Sequence, residues 1–452
     1  MHTWLSGFLR IPFVRDVATM QIGRMVTIGC TFLTSILYAR FLGIGGYGEY
    51  AVILSFTGIF GLLANLGQQM TLTTFLGETY GRRDRRGIVE VSQYYIVTSF
   101  GTAVLMGVLV LFCPFLTNFL YGDPAIGMLA RLVFLSSMFE FVFSFFAIAL
   151  QTTREIRLLT FLENAKTVVQ ISAATLFLIL GYGVAGVLWS SVTAAAAFCA
   201  LSLILYPRFR KRHDFPTLQE MLKLSCTNHL WKYAKDGVWL GIDKSIGNLY
   251  PNIFLFILSL GAAPGIVGLL RLAFKLADLP SNFGLNSVSR LASSALSAMA
   301  HRSDVLLKNF LRLTRHAVVM HGLISLAGMV LVPFFLPIVY GDEFKVTVYP
   351  FLVIISLQIL YGVHTCVVPV LRLFSKIYIA TAINLVSMGV GIGLFFALKD
   401  IITPTRALYI GLAAYHVLVS FVIFPTLQLL KSYPRTNDSR GRTAPISLPF
   451  VK

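Results

Sequence analysis

The sequence predicts an all-α integral membrane protein with twelve transmembrane helices arranged as two bundles of six. Three observations carry this prediction. Apolar runs of about 20 residues, the length that a helix needs to cross a bilayer, recur from one end of the chain to the other. The loops between them alternate between a cation-rich set and a set with almost no cations. A pattern from the first half of the chain also returns in the second half.

The composition excludes a typical soluble domain. The 452-residue chain is 56% hydrophobic and 12% charged, with a mean hydropathy of +0.78, and soluble domains carry about twice that charged fraction. The formal net charge of +18 would suggest nucleic acid as the partner of a soluble protein. In a membrane protein the cations of cytoplasmic loops explain it first, so we expect no nucleic-acid partner. The five cysteines have no paired spacing, so neither a disulfide framework nor a metal site is predicted.

Twelve apolar segments qualify as membrane spans. The loops on one side include "RRDRR" (82–86) and "RFRKRH" (208–213), whereas those on the other side, such as "YGDP" (121–124) and "GAAPG" (261–265), are nearly free of cations. Because cytoplasmic loops carry the excess of Lys and Arg, we expect both termini and the even-numbered loops to be cytoplasmic, in a plasma (inner) membrane. The spans lie at about 18–40, 47–70, 90–113, 127–150, 160–181, 184–206, 236–259, 266–288, 314–338, 349–371, 377–397 and 406–429.

An internal repeat divides the spans into two sets of six. "PFLTNFLYGDP" begins at Pro114 and "PFFLPIVYGDE" at Pro333, an offset of 219 (333 − 114). "FLGIGGYG" and "SLGAAPGIVG" match more loosely at an offset of 218, where Gly43 aligns with Gly261. Chance similarity between apolar regions is the alternative to duplication. Since six spans return the chain to its starting side, the halves are expected to be related by a pseudo-twofold axis along the membrane normal.

These boundaries give the predicted domain organisation. The first residues, with Trp4, Phe8 and Arg10 among them, have the character of a short helix in the membrane interface. The predicted parts are an interfacial segment (1–17), a first bundle (18–206), a basic cytoplasmic linker (207–235), a second bundle (236–430) and a basic cytoplasmic tail (431–452).

The stretch "GIGGYG" (43–48) fits the G-x-G-x-x-G fingerprint of dinucleotide binding, but its context does not. The fingerprint needs a preceding strand and an acid about 20 residues later. Here an apolar run too long for a strand precedes it, and no acid lies between Glu49 and Glu78. We therefore interpret the glycines as the tight turn between spans one and two, where positive φ angles are needed.

Several segments together resemble one transporter family. The segment "YARFLGIGGYGEYAVILSFTGIFGLLANLGQQMTLTTFLGE" (38–78), the two Tyr-Gly-Asp sites and "GIVGLLRLAFKLADLP" (265–280) are similar to Wzx-type flippases of the multidrug/oligosaccharidyl-lipid/polysaccharide exporter superfamily. The resemblance covers about residues 10–430. It implies a twelve-span, two-bundle fold that moves an undecaprenyl-diphosphate-type lipid-linked oligosaccharide from the inner to the outer leaflet by alternating access, often with ion antiport. The implied partners are membrane lipids and the polysaccharide polymerase and chain-length machinery.

Four cations are candidate ligands for an anionic substrate. Arg271 and Lys275 lie four residues apart on one face of span eight, an arrangement that a pyrophosphate would compensate. Arg24 in span one and Arg271 also match, by location, arginines of lipid-II-flipping relatives. Arg40 lies at the exit of span one, where its position suggests an interface residue and the resemblance suggests a conduit-lining one.

The structural alternative is that Arg271 and Lys275 pair with Glu49 or Asp278, or extend to a membrane surface.

Three acids, Glu140, Asp243 and Glu49, are candidates for coupling transport to H⁺ or Na⁺. Glu140 is the deepest and is interpreted as a lone carboxylate, with a structural hydrogen bond as the alternative. Glu163 and Lys166 are spaced for a local ion pair. Apart from a coupling ion, no cofactor and no metal are expected.

Other functions fit the sequence less well. A multidrug exporter of the same superfamily would carry cationic substrates and need a cavity dominated by acids. A lipid II flippase commonly has two further spans, for which the chain has no room after residue 430. A membrane glycosyltransferase or polymerase would need a sizeable outward loop with paired acids, and Asp342-Glu343 is the only outward pair. We therefore expect a transporter rather than an enzyme.

Overall fold

The computed structural model describes residues 12–64, 68–222, 233, 250–279, 303–374 and 376–432. All regular secondary structure among these residues is helical. The helices are α1 (Pro12–Ala64), α2 (Gln68–Gly81), α3 (Arg85–Tyr121), α4 (Pro124–Thr152), α5 (Ile156–Ile179), α6 (Gly183–His213), α7 (Leu218–Leu222), α8 (Tyr250–Ser259), α9 (Pro264–Ala277), α10 (Ser303–Tyr340), α11 (Val348–Gln358), α12 (His364–Leu373), α13 (Ile377–Leu398), α14 (Pro404–Ser420) and α15 (Ile423–Ser432).

The helices follow the predicted spans closely. Within the described residues, seven stretches are long and apolar enough to cross a membrane. Of the remaining predicted spans, the second corresponds to the second part of α1 and the fifth to α5. The seventh and eighth correspond to α8 and α9, and the tenth to the interrupted pair α11 and α12. The seven are Thr19–Gly61, Arg85–Tyr121, Pro124–Thr152, Gly183–His213, Leu306–Tyr340, Tyr378–Leu398 and Pro404–Ser432.

The glycines of residues 43–48 serve different purposes. Only Gly43 has a positive φ (63°), and it breaks α1 at the predicted turn between spans one and two. Gly48 lies within the helix, where a Cβ atom would be 2.3 Å from the carbonyl carbon of Pro264 on α9. Gly45 faces open space. The expectation that these glycines together form the turn is therefore wrong, because Gly48 is required by the close approach of two helices.

The tenth predicted span is not a single helix. Between α11 and α12 the backbone tightens into a 3₁₀ segment, Ile359–Val363. The carbonyl oxygen of Gln358 accepts a hydrogen bond from His321 Nε2 of α10 at 3.0 Å. A Cβ atom on Gly362 would lie 3.1 Å from the Cα atom of Val318. The interruption is thus compensated by a side-chain donor and by a close helix contact.

The predicted repeat appears in the structure as a reciprocal pair of contacts. The hydroxyl of Tyr121, in the first Tyr-Gly-Asp, lies 3.0 Å from Ser259 Oγ on α8. The hydroxyl of Tyr340, in the second, lies 2.8 Å from Ser35 Oγ on α1. Each tyrosine therefore ends a helix of one half and contacts a serine of the other half.

The chain forms two compact units. The first comprises the described residues of 1–276, 330–354 and 392–411, and it contains an aromatic core that includes Tyr94, Tyr95, Phe143, Phe146 and Tyr206. The second comprises those of 277–329, 355–391 and 412–452, with a mainly aliphatic core that also includes Phe310 and Cys366. The functional candidates that the structure describes all lie in the first unit.

Candidate functional site

The first unit contains an open cavity of about 430 Å³, which we name the polar cavity. It brings together side chains from six helices, α1, α2, α3, α4, α8 and α9. The described lining residues are Leu54, Thr57, Gly58, Gly61, Gln69, Met106, Val133, Ser137, Glu140, Phe141, Asn252 and Arg271.

The α1 wall follows helical periodicity. Leu54, Thr57, Gly58 and Gly61 are spaced i, i+3, i+4 and i+7, which places them on one face. Thr57 Oγ1 donates to the carbonyl of Ile53 at 2.9 Å, so its hydroxyl proton is already used within the helix. Because Gly58 and Gly61 have no side chains, they leave space on this face for the cavity.

The α4 wall has the same geometry. Val133, Ser137, Glu140 and Phe141 are spaced i, i+4, i+7 and i+8. Ser137 Oγ donates to the carbonyl of Val133 at 2.9 Å. This wall contributes one carboxylate and one hydroxyl oxygen, together with the ring of Phe141.

Arg271 is the cation of the cavity. It projects from α9, and its Nη1 atom is buried without a hydrogen-bond partner. Across the described parts of the chain, no acid forms an ion pair with Arg271. A buried guanidinium nitrogen without an acceptor is unfavourable, and an anionic ligand in the cavity would supply one.

Glu140 is not the lone carboxylate that the sequence predicts. Lys166 of α5 donates to its Oε2 in an ion pair. The Lys166 ammonium also lies 4.8 Å from the ring centroid of Phe143, a cation–π contact. Lys166 therefore bonds to Glu140 on the neighbouring helix, and the expected local ion pair with Glu163 is not the one that the structure forms.

The charge balance of the polar cavity is positive. Glu140 is neutralised by Lys166, which leaves Arg271 as the uncompensated charge among the described lining residues. The other polar groups of the wall are neutral, and Gln69 and Asn252 bring amides. This combination of one guanidinium with hydroxyls and amides suits an anionic, hydroxyl-rich ligand.

Two other predicted cations bind backbone carbonyls. Lys275, one turn after Arg271, donates to the carbonyl of Thr31 at 3.2 Å and so links α9 to α1. Arg40 donates from Nε to Val339 O at 2.8 Å and from Nη2 to Ile338 O at 2.6 Å. Arg40 thereby satisfies the carbonyls at the end of α10, where cations are favourable. Neither residue lines the polar cavity.

The remaining candidates are not brought together. Arg24 lies on α1 and Glu49 on its second part, and neither lines the polar cavity. Asp243 lies outside the described residues. Among the residues that the structure describes, no group of three or more His, Cys, Asp or Glu side chains could hold a metal.

The sequence interpretation missed Thr57 and Ser137 and gave the amides Gln69 and Asn252 no individual role. The sequence does contain a signal for Thr57, because it lies on the same helix face as the small residues Gly58 and Gly61. Hydroxyls at such positions occur throughout membrane helices, so the spacing alone does not separate a cavity wall from a packed interface.

Comparison with solved structures identifies the fold. An inward-facing multidrug resistance MATE family transporter of the MOP superfamily superposes with a TM-score of 0.73 at 15% identity, covering 91% of this chain and 99% of that one. A MOP superfamily transporter from Pyrococcus furiosus gives 0.64 at 14% identity, covering 93% and 97%. The eukaryotic MATE transporter AtDTX14 gives 0.62 at 14% identity, covering 93% and 99%. The predicted all-α membrane fold is confirmed.

A family comparison agrees with the structural one. No curated protein matches the sequence. The family model described as polysaccharide biosynthesis protein matches residues 13–292, which is more than half of the chain and includes the described lining of the polar cavity. The chain therefore belongs to the polysaccharide biosynthesis protein family, and its fold is that of the MOP superfamily transporters.

Proposed function

We propose that this membrane transporter is a flippase that moves an undecaprenyl-diphosphate-type lipid-linked oligosaccharide from the cytoplasmic to the outer leaflet by alternating access. The single observation that carries the proposal is Arg271, a half-buried cation that lines the polar cavity, has a buried Nη1 atom without a hydrogen-bond partner, and has no acid partner among the described residues. A diphosphate would supply acceptors for its guanidinium, and the hydroxyls of a glycan suit the amides of Gln69 and Asn252. The cation-rich loops would face the cytoplasm.

The family supports a role in polysaccharide biosynthesis, and the cavity charge supports an anionic substrate. Cationic drugs are a poorer match, because the one described acid of the cavity is already bound to Lys166. A structural neighbour from Pyrococcus furiosus is itself described as having a binding pocket of reversed polarity that suggests a different function. The polarity of the binding pocket is thus described as differing between proteins that share this fold.

Ion coupling is part of the proposal. Glu140 lies in the cavity wall and is bonded to Lys166. A proton or Na⁺ that competes for the carboxylate would free the Lys166 ammonium and raise the positive charge beside the substrate. Coupling would then act through the cavity's affinity for the anion.

The test is translocation in proteoliposomes. Purified protein is reconstituted with a lipid-diphosphate oligosaccharide, and its appearance in the opposite leaflet is followed with and without H⁺ or Na⁺ gradients. We expect Arg271→Gln to lower the rate roughly 10- to 100-fold, because a charge-assisted hydrogen bond contributes about 1.5–3 kcal/mol. Glu140→Gln is expected to remove the gradient dependence.

Arg131→Gln is the matched control. Arg131 lies in the same unit, but its guanidinium donates to the carbonyl of Val110 at 2.7 Å and does not line the cavity. The control is expected to transport at the wild-type rate per folded molecule. Wild-type rates in folded Arg271→Gln would contradict the phosphate role. No transport by the wild type, together with export of cationic drugs, would replace the flippase with a multidrug exporter.

A further inference from the structure

A second cavity of about 190 Å³ lies in the same unit as the polar cavity, and we name it the apolar cavity. Its walls come from α3, α4, α6 and the short helix α7. None of its described lining residues is charged. Five of them are aromatic: Tyr95, Phe141, Phe145, Phe146 and Tyr206.

The polar atoms of this lining are already satisfied by the protein. Tyr95 donates to the carbonyl of Phe141 at 2.9 Å, and Tyr206 donates to the carbonyl of Pro216 at 2.8 Å. Ser202 Oγ donates to its own helix, to the carbonyl of Phe198 at 2.7 Å. Since these hydroxyl protons are used, the cavity offers a ligand aromatic and aliphatic contacts rather than hydrogen-bond donors.

The two cavities share a wall. Phe141 lines both of them, and Glu140 lines the polar cavity immediately before it in the sequence. Farther along α4, Phe145 and Phe146 line only the apolar cavity. A molecule with an anionic head and an apolar tail can therefore place its two parts on either side of one phenylalanine ring.

The rim of the apolar cavity is accessible from the helix surface. Leu203 of α6, within the sixth predicted span, is 47% exposed and lines the cavity, whereas Leu218 of α7 lies in the predicted cytoplasmic linker. Apolar side chains that remain exposed on a membrane helix face lipid tails. This rim gives an apolar chain a path from the bilayer.

Helix α7 is fixed in place as one wall. The backbone N–H of Thr217 donates to the Glu220 carboxylate at 2.6 Å, which holds the pKa of Glu220 below its usual range. The Glu220 N–H in turn donates to Thr217 Oγ1 at 3.0 Å, and Gln93 Nε2 donates to the Glu220 carbonyl at 2.8 Å. This capping box and its link to α3 position Leu218 and Met221 over the cavity.

We infer that the apolar cavity binds the isoprene units of the lipid carrier that lie next to its diphosphate, while the diphosphate lies in the polar cavity. This inference rests on the proposed function and adds a second recognition site to it. A branched polyprenyl chain would pack against the aromatic rings and displace the lipid that otherwise fills the space. The transporter would then select its substrate by the tail as well as by the head.

The experiment compares two substrates with the same diphosphate oligosaccharide, one on an undecaprenyl chain and one on an ethyl group, which is too short to fill the apolar cavity. Ser202→Phe places a ring in the apolar cavity, and Ile204→Phe is the matched control, since Ile204 is 63% exposed on α6 and does not line the cavity. We expect Ser202→Phe to slow the undecaprenyl substrate about tenfold, as the loss of two or three buried methylene contacts implies. The ethyl substrate with Ser202→Phe, and both substrates with the control variant, are expected to change less than about twofold.

A photolabelling measurement on the wild type does not depend on the variant folding. A diazirine-bearing polyprenyl diphosphate is expected to label the segment 141–146 or 202–206, and excess phospholipid is not expected to compete. Equal slowing of both substrates, labelling confined to other segments, or full competition by phospholipid would overturn the inference while leaving a transporting wild type intact. Absence of wild-type transport of either substrate would instead overturn the proposed function, and the inference with it.

Discussion

The two Tyr-Gly-Asp copies have the same sequence, and their tyrosines make the same kind of contact, whereas their glycines and aspartates adopt different local structures. Ser259 Oγ, which contacts Tyr121, also donates to Phe256 O at 2.6 Å. Ser35 Oγ, which contacts Tyr340, also donates to Phe32 O at 2.7 Å. Because each serine proton is used in its own helix, the tyrosine is the donor in both pairs.

The glycine and aspartate differ between the copies. In the first copy Gly122 adopts a left-handed conformation that ends α3, and Asp123 caps α4 by accepting from Ala125 N at 2.8 Å. In the second copy Gly341 has φ 109° and ψ 157°, and a 3₁₀ segment, Asp342–Thr347, follows before α11 begins.

The residue after the motif accounts for this difference. Pro124 stands in the first turn of α4, where its fixed φ favours an immediate helix start. Glu343 occupies the corresponding place in the second copy and gives no such preference. In both copies the tyrosine therefore makes the contact between the halves. Whether a helix starts directly after the motif depends on the next residue, Pro124 or Glu343.

The largest effect is expected where the halves approach most closely, at Gly48. Replacing Gly48 with Leu places side-chain atoms against the Pro264 backbone, since even a Cβ would lie 2.3 Å away, and a Cβ on Gly268 would lie 2.8 Å from the Gly48 Cα. Overpacking against backbone is expected to destabilise the protein by about 1–3 kcal/mol or more. The measurement is the yield and thermal unfolding of the purified protein in detergent.

Gly45→Leu is the control for that variant, because Gly45 faces open space three residues earlier. It is expected to unfold within a degree or two of the wild type, as surface changes usually do. Equal unfolding temperatures for both variants would show that α1 and α9 do not touch at Gly48.

Intermediate effects are expected at the two tyrosines. Tyr121→Phe and Tyr340→Phe each remove one hydrogen bond between the halves and should destabilise the protein similarly, by about 0.6 kcal/mol, the average for such bonds in membranes. Ser35→Ala should have a larger effect than Tyr340→Phe, because it leaves a buried tyrosine donor unpaired. Double-mutant cycles of the two pairs check this, and strongly unequal coupling energies would contradict the reciprocity.

The smallest effect is expected at the second aspartate, Asp342, in contrast to Asp123. Asp123→Ala removes a helix cap and is expected to destabilise the protein by about 0.5–2 kcal/mol. Asp342→Ala removes no side-chain cap at the start of its 3₁₀ segment and should change stability by less than about 0.5 kcal/mol. Thermal unfolding of the two variants side by side provides the comparison, and a larger shift for Asp342→Ala would reverse the assignment of the cap.

Much of the fold could be predicted from the sequence because the bilayer fixes the length of an apolar helix. The described helices follow the predicted spans, and the break at Gly43 lies in the predicted turn. The interruption of span ten at Ile359–Val363 could not be predicted, because apolar residues continue through it and its compensation comes from His321 on another helix.

The candidate site was predictable in part. Arg271 and Glu140 are conspicuous as charges within apolar runs, and the structure places both in one cavity. Arg40 and Lys275 are equally conspicuous but donate to backbone carbonyls. Charge in a span therefore indicated that a residue has a special role without indicating which one.

The sequence by itself determined the membrane class, the places of the spans and the presence of a duplicated pattern, because these depend on local hydropathy and on similarity along the chain. Only the tertiary structure decided which charges share a cavity, that Lys166 binds Glu140 rather than Glu163, and that Gly48 serves a helix contact. The physical reason is that helices apolar on all sides carry no amphipathic direction in their sequence. Their rotation about the helix axis is set by packing against neighbours, and that rotation decides what each side chain meets.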